Sequence, residues 1–235
     1  MAVALTFTAS ARRLGIASAG GTALLTAAYA ATLAGGLLSL PSPEQPIADP
    51  WFSMLEVLIL LLVPVIVALM VAVHAWAPAE AKVFSLVALV FAGLLAGLTS
   101  SVHFVILTVG RRAAFAGLAW APLFLSFTWP SVAYALDILA WDVFFALAVL
   151  FAAPVFGGSR LGVSVRVLPR ASGALALAGL SGVVVGDMRL RMIGVVGYVG
   201  VFPVAALLLA TQFHRAAPRE ADLRRLLIRT TGTRH

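Results

Sequence analysis

The stretch Trp51–Trp76, WFSMLEVLILLLVPVIVALMVAVHAW, has one carboxylate, Glu56, in an otherwise almost wholly apolar run bounded by tryptophans. A soluble amphipathic helix would show a polar face, and this run has none. At a rise of ~1.5 Å per residue it is long enough to cross the ~30 Å hydrocarbon core of a bilayer. The tryptophans suit the two interfaces. One such segment reads as a membrane span, and the same pattern recurs along the chain.

Five further spans are expected: Leu14–Leu40, Val83–Val109, Trp129–Phe156, Ala171–Gly186 and Met192–Phe213. The first ends at Pro41-Ser42-Pro43 and the fourth at Gly157-Gly158, both breaks that a helix does not continue through. The fold class that follows is all-α, a polytopic transmembrane bundle over 1–213 followed by a basic tail over 214–235. Composition agrees: 62% of the 235 residues are hydrophobic and only 11% charged, against about a quarter charged in soluble domains. The absence of cysteine excludes disulfides, thiolate metal sites and a cysteine nucleophile.

The stretch 113–128 is ambiguous. Its apolar content fits a seventh span, a re-entrant segment or a helix lying in the interface. The positive-inside rule favours six spans with both termini cytoplasmic in a cell membrane. That arrangement puts twelve of the sixteen Lys and Arg inside, and only Arg111, Arg112, Arg189 and Arg191 outside. Arg12-Arg13 before an apolar run, with Ala28-Tyr29-Ala30 beyond it, also resembles a signal peptide, but the run is long for that role. In the tail, Pro218–Arg229 reads as a short amphipathic helix for anionic lipid.

The net charge of +7 is carried at span ends and in the tail, so no basic domain remains for nucleic acid. The partners expected are membrane lipids and a lipophilic small molecule, with homo-oligomer or partner-subunit contact left open. Gly93-x-x-x-Gly97 and Gly182-x-x-x-Gly186 permit close helix approach and read as packing within the chain. Pro64, Pro154 and Pro203 are expected to kink their spans.

Ionisable side chains inside spans are costly and by default mark function. Glu56, His103, Asp137 and Asp142 are the candidates for catalysis. Counted from the non-cytoplasmic interface, Glu56 lies ~8 Å deep, His103 and Tyr198 ~10 Å, Asp137 ~12 Å and Asp142 ~20 Å. Four polar groups from four spans therefore share one layer. Five residues separate Asp137 from Asp142, about 140° around an α-helix, so the two should not both face one small ligand. Tyr134, Trp141, Tyr198, Phe144, Phe145 and Ser100 are the expected substrate contacts.

No metal or cofactor is expected, since no Glu-x-x-His pattern, P-loop or dinucleotide fingerprint occurs. His74 and His103 lie at opposite depths and cannot ligate one haem. The pattern suits binding of a lipophilic molecule or its acid–base isomerisation or cyclisation. A non-enzymatic accessory or sensor subunit and a proton-coupled transporter are the alternatives.

Overall fold

The computed structural model describes residues 7–42, 45–115 and 117–216. The amphipathic helix expected at Pro218–Arg229 lies outside the described residues. Among the described residues six helices are long and apolar enough to cross a membrane: α1 (Ala9–Leu38), α2 (Trp51–Trp76), α3 (Ala79–Thr108), α4 (Val132–Val155), α5 (Arg160–Val185) and α6 (Met192–Arg215). Stretch 113–128 supplies no seventh. It holds only the short turns Ala113–Phe115 and Ala121–Phe124.

Hydroxyl caps set three of the starts. Thr8, Ser131 and Ser159 accept from the backbone N–H of Ala11, Tyr134 and Gly162, satisfying a donor that the first helical turn leaves orphaned. The Ser159 cap explains why α5 begins at Arg160 rather than at Ala171. Its first turns carry Arg160, Arg166 and Arg170, and Pro169 is accommodated within the helix. Arg166 turns back to donate to the Phe156 carbonyl, so its charge stays at the helix end. Gly186, at φ 80°, ends α5 in the left-handed conformation that a glycine adopts without strain.

Each helix packs on the next in sequence, and α6 returns to α1, closing a ring of six. With alternating direction, positions 9 and 215 lie at one end (the terminal end), and the 39–50, 109–131 and 186–191 connections lie at the other (the far end). The closure is uneven. The stretch Phe202–Arg215 packs along α1, whereas the far part of α6, 192–201, scarcely touches it. At the terminal end the seam is tight: Gly15 lies under the Phe213 ring, and a Cβ there would come within 2.7 Å of it. Arg12 fastens the seam by donating through Nε to the Phe213 carbonyl at 3.1 Å.

Two helices widen locally. α4 is π-helical over Leu139–Phe145 and α6 over Val196–Val201. The second widening directly precedes Pro203, which has no N–H to donate back along the helix. Ser172 of α5 donates to the Gly197 carbonyl at 2.9 Å and so satisfies an acceptor there. Pro154 falls in the closing turn of α4 and ends the span instead of kinking it, while Pro64 lies within an unbroken α2.

The small-residue motifs behave differently from the expectation. A Cβ on Gly93 or Gly97 would meet nothing within 4 Å, so this pair faces away from the rest of the chain and packs nothing inside it. Gly182 does serve close packing, since a Cβ there would stand 3.0 Å from the Arg191 nitrogen.

Candidate functional site

Three helices and one connection bring ionisable groups into a continuous line near the far end. Glu56 stands one and a half turns into α2, on the same face as the buried Leu55, Ile59 and Leu62. It is only 3% exposed. Its Oε2 lies 2.9 Å from His103 Nδ1 of α3. The other ring nitrogen, Nε2, lies 3.3 Å from Asp137 Oδ1 of α4. Arg191 Nη2 donates to Asp137 Oδ2 at 2.9 Å, and its Nε donates to Asp142 Oδ2 at 3.2 Å. Arg191 Nη1 donates to the Tyr134 hydroxyl at 3.0 Å, and the guanidinium sits 4.7 Å from the centre of that ring.

The sequence reading placed Arg191 at the interface, and the structure corrects this: Arg191 is buried inside the bundle. The chain between α5 and α6 tightens into successive i→i+3 hydrogen bonds from Asp187 to Gly194. It lies against α5 where glycines leave room. A Cβ on Gly179 would stand 3.1 Å from the Gly194 Cα, and one on Gly182 at 3.0 Å from the Arg191 nitrogen. That contact carries the start of α6 inward and turns Arg191 toward α4. Two signals pointed this way in the sequence: small residues on α5, and two buried aspartates that need a cation.

Only Asp137 lines the cavity of the bundle, in line with the expectation that the two aspartates do not both face one ligand, but the angle between them is smaller than an α-helix gives. Both reach the same guanidinium. The expected angle assumed α-helical geometry throughout, whereas Asp142 lies in the π-helical stretch. There residue i+5 takes the hydrogen-bonding place that i+4 holds in an α-helix, so residues five apart come round to the same side.

The charges of this line do not balance. With all three acids ionised and the arginine charged, two units of negative charge remain. A protonated His103 removes one of them. Both imidazole nitrogens face carboxylate oxygens, and only the imidazolium donates from both. If the ring is neutral, a neighbouring carboxyl must hold the proton in its place. In either state at least one proton is shared between Glu56 and Asp137, and burial of net charge in an apolar interior favours taking up another positive charge.

Glu56, His103, Asp137, Arg191 and Tyr134 form one wall of a cavity of about 730 Å³. The rest of the lining is mainly apolar. α1 contributes Thr26, Tyr29, Leu33 and Leu37 at helical spacing, and α6 contributes Met192, Val195 and Val199. These two stripes border the gap where α1 and α6 part. Ile47 and Leu125–Thr128 cover the far end, and the Phe127 ring lies 5.0 Å from the His103 ring. Thus the segment 113–128, rather than crossing, sends its last residues over the site.

Of the expected substrate contacts, Tyr134, Trp141 and Tyr198 line the cavity. Trp141 and Tyr198 pack on one another at 5.2 Å. Phe145 is fully buried behind them, against Phe202 at 4.9 Å. Phe144 turns to Phe91 of α3 at 6.2 Å, and Ser100 is not part of the lining. Asp142 is wholly buried behind Arg191, outside the lining, with its Oδ1 unpartnered among the described residues. Tyr29 and Thr26 are lining residues that the sequence did not flag, because they sit in a span without charge. Comparison of the chain with known protein families, curated proteins and solved structures finds no match to any of them.

Proposed function

We propose that this integral membrane protein takes a lipophilic small molecule into the cavity between α1 and α6 and converts it by proton transfer, as an isomerase or cyclase. The observation that carries the reading is a shared-proton line, Glu56–His103–Asp137, forming one wall of a cavity that is otherwise mainly apolar. A pocket of this kind binds an apolar body and fixes its orientation through a few polar groups. Glu56 is the group that meets the substrate and exchanges a proton with it, and His103 holds and resupplies that proton. Asp137 is a positioning residue, orienting the imidazole while Arg191 holds its other oxygen. Trp141 and Tyr198 present ring faces that stabilise positive charge developing on the substrate. In a cell membrane with both termini cytoplasmic, the cavity lies in the outer leaflet.

The test is mass spectrometry of small lipids that remain with the protein after gentle extraction, followed by turnover of the recovered molecule. A single enriched species is expected. Glu56→Gln and His103→Ala should each abolish its conversion while membrane insertion stays normal. If only bulk lipid is recovered, and the substitutions alter nothing but thermal stability, the proposal fails.

A further inference from the structure

Glu56 has a second oxygen that no described residue uses. Oε2 is committed to His103, whereas Oε1 has no hydrogen-bond partner among the described residues, although the side chain is only 4% exposed and lines the cavity. The other two carboxylates of the line differ in this respect. Asp137 spends one oxygen on His103 and the other on Arg191. Asp142 presents its unpartnered oxygen to the α6 backbone, not to the cavity: a Cβ on Gly194 would stand 2.7 Å from it. Among these three carboxylates, Glu56 is therefore the one with a free oxygen on the cavity side.

The charge of the line makes that acceptor selective. With all three carboxyls ionised and His103 protonated, three negative groups face two cations, and one unit of negative charge remains to be matched. Three of the five Arg191 N–H groups are already engaged on Asp142, Tyr134 and Asp137, so its charge is committed to the acids of the line before any guest arrives. An acidic headgroup would add like charge to an already negative wall. A protonated amine supplies the missing charge and donates to Oε1, a charge-assisted hydrogen bond in an apolar cavity. Phe52 and Phe127, 6.4 Å apart, also belong to the lining, and aromatic rings beside a site favour a cation over an anion.

We infer that the cavity selects lipophilic amines, seating the ammonium group on Glu56 Oε1 and the apolar body along the α1 and α6 stripes. This rests on the cavity being a lipophilic binding site, and not on any turnover within it.

The experiment uses the full chain in nanodiscs of neutral lipid, titrated separately with decylamine, decanol and decanoate and followed by thermal shift. Equal chain lengths hold the apolar contribution constant. The amine should bind about tenfold or more tightly than the alcohol, as a charge-assisted hydrogen bond implies, and decanoate should bind most weakly. In Glu56→Gln, whose amide can still accept from His103, the advantage of the amine should vanish. Equal binding of all three probes, or an amine preference that survives Glu56→Gln, overturns the inference and leaves the lipophilic site standing. Binding of none of them overturns both. Should the variant fail to fold, the ranking of the three probes on the unmodified protein decides the matter alone.

Discussion

Around His103, helices α2, α3, α4 and α6 meet through ionisable groups. Around Phe145 and Phe213 the bundle meets through rings and small residues. In the terminal half, Phe7 packs edge-on to Trp76 at 4.9 Å and Phe213 lies 5.8 Å from Phe7. Between the halves the buried side chains are mainly apolar, among them Leu69, Ala88, Ala92 and Val149, with the hydroxyls of Ser18, Thr22 and Ser172 interspersed. The polar groups of the terminal half are local: His74 Nδ1 and Ser85 Oγ lie 2.9 Å apart, and Lys82 donates to the His74 carbonyl. A proton path through the membrane needs polar groups along its whole length. The mainly apolar band between the two halves, with hydroxyls but no ion pair among the described residues, counts against that function.

The comparison also predicts how each half fails. Lipid tails are as apolar as the terminal core, so cutting a ring there forfeits mainly packing, whereas cutting a charge in the far half leaves its partners bare. Arg191→Met should therefore have the largest effect, a loss of about 3–5 kcal/mol by unfolding in detergent. Neutralising Asp137 and Asp142 as well should restore most of it. Phe213→Ala should cost less, below about 3 kcal/mol, because only the cavity it leaves is charged against the fold. If Phe213→Ala proves the more damaging, the contrast between the halves is wrong.

Glycine substitutions sharpen the same contrast on a smaller scale. Gly194→Ala would bring a methyl group to 2.7 Å from Asp142 Oδ1, and should cost about 1–3 kcal/mol as overpacking. Gly93→Ala meets open space and should stabilise the helix by about 0.5–1 kcal/mol. Thermal melts of the two variants should move in opposite directions.

The smallest effect is expected at the far-end rim. Arg111 holds both Asp49 oxygens at 2.7 Å. The Ser53 hydroxyl and Arg111 together lower the Asp49 pKa from its ordinary value of 3.8. A lowered carboxylate pKa contributes stability above the ordinary value, and that contribution is lost as pH falls through the lowered one. The melting difference between the unmodified protein and Asp49→Asn should thus be small, constant from pH 8 to about 5, and shrink toward zero in stronger acid. Both groups are exposed, so salt should reduce it further.

Much of this was legible in the sequence for a physical reason: helix rise converts position into depth. That is why Glu56, His103 and Asp137 could be assigned to one layer before any contact was known, and the structure brings them within hydrogen-bonding distance. The bounds of α2, Trp51–Trp76, were equally plain from its apolar run. Two kinds of information were not local. Arg191 stands next to an apolar run, where a cation reads as an interfacial anchor, and only the approach of α6 to glycines on α5 draws it inward. The π-helical turn that aligns Asp142 with Asp137 has no composition of its own. Start positions suffered from the opposite bias, as at α5, where arginines masked a helix that a serine cap had begun.

On the proposed reading, the parting of α1 from α6 sets how a guest's abundance should be counted. Leu37 and Met192, on the two lips of the gap at the far ends of their spans, are each 51% exposed. A molecule reaching the cavity sideways is sampled from the lipid phase, so its occupancy follows its mole fraction among the lipids. Diluting the membrane with additional lipid would empty the cavity even while the amount per volume of buffer stayed fixed.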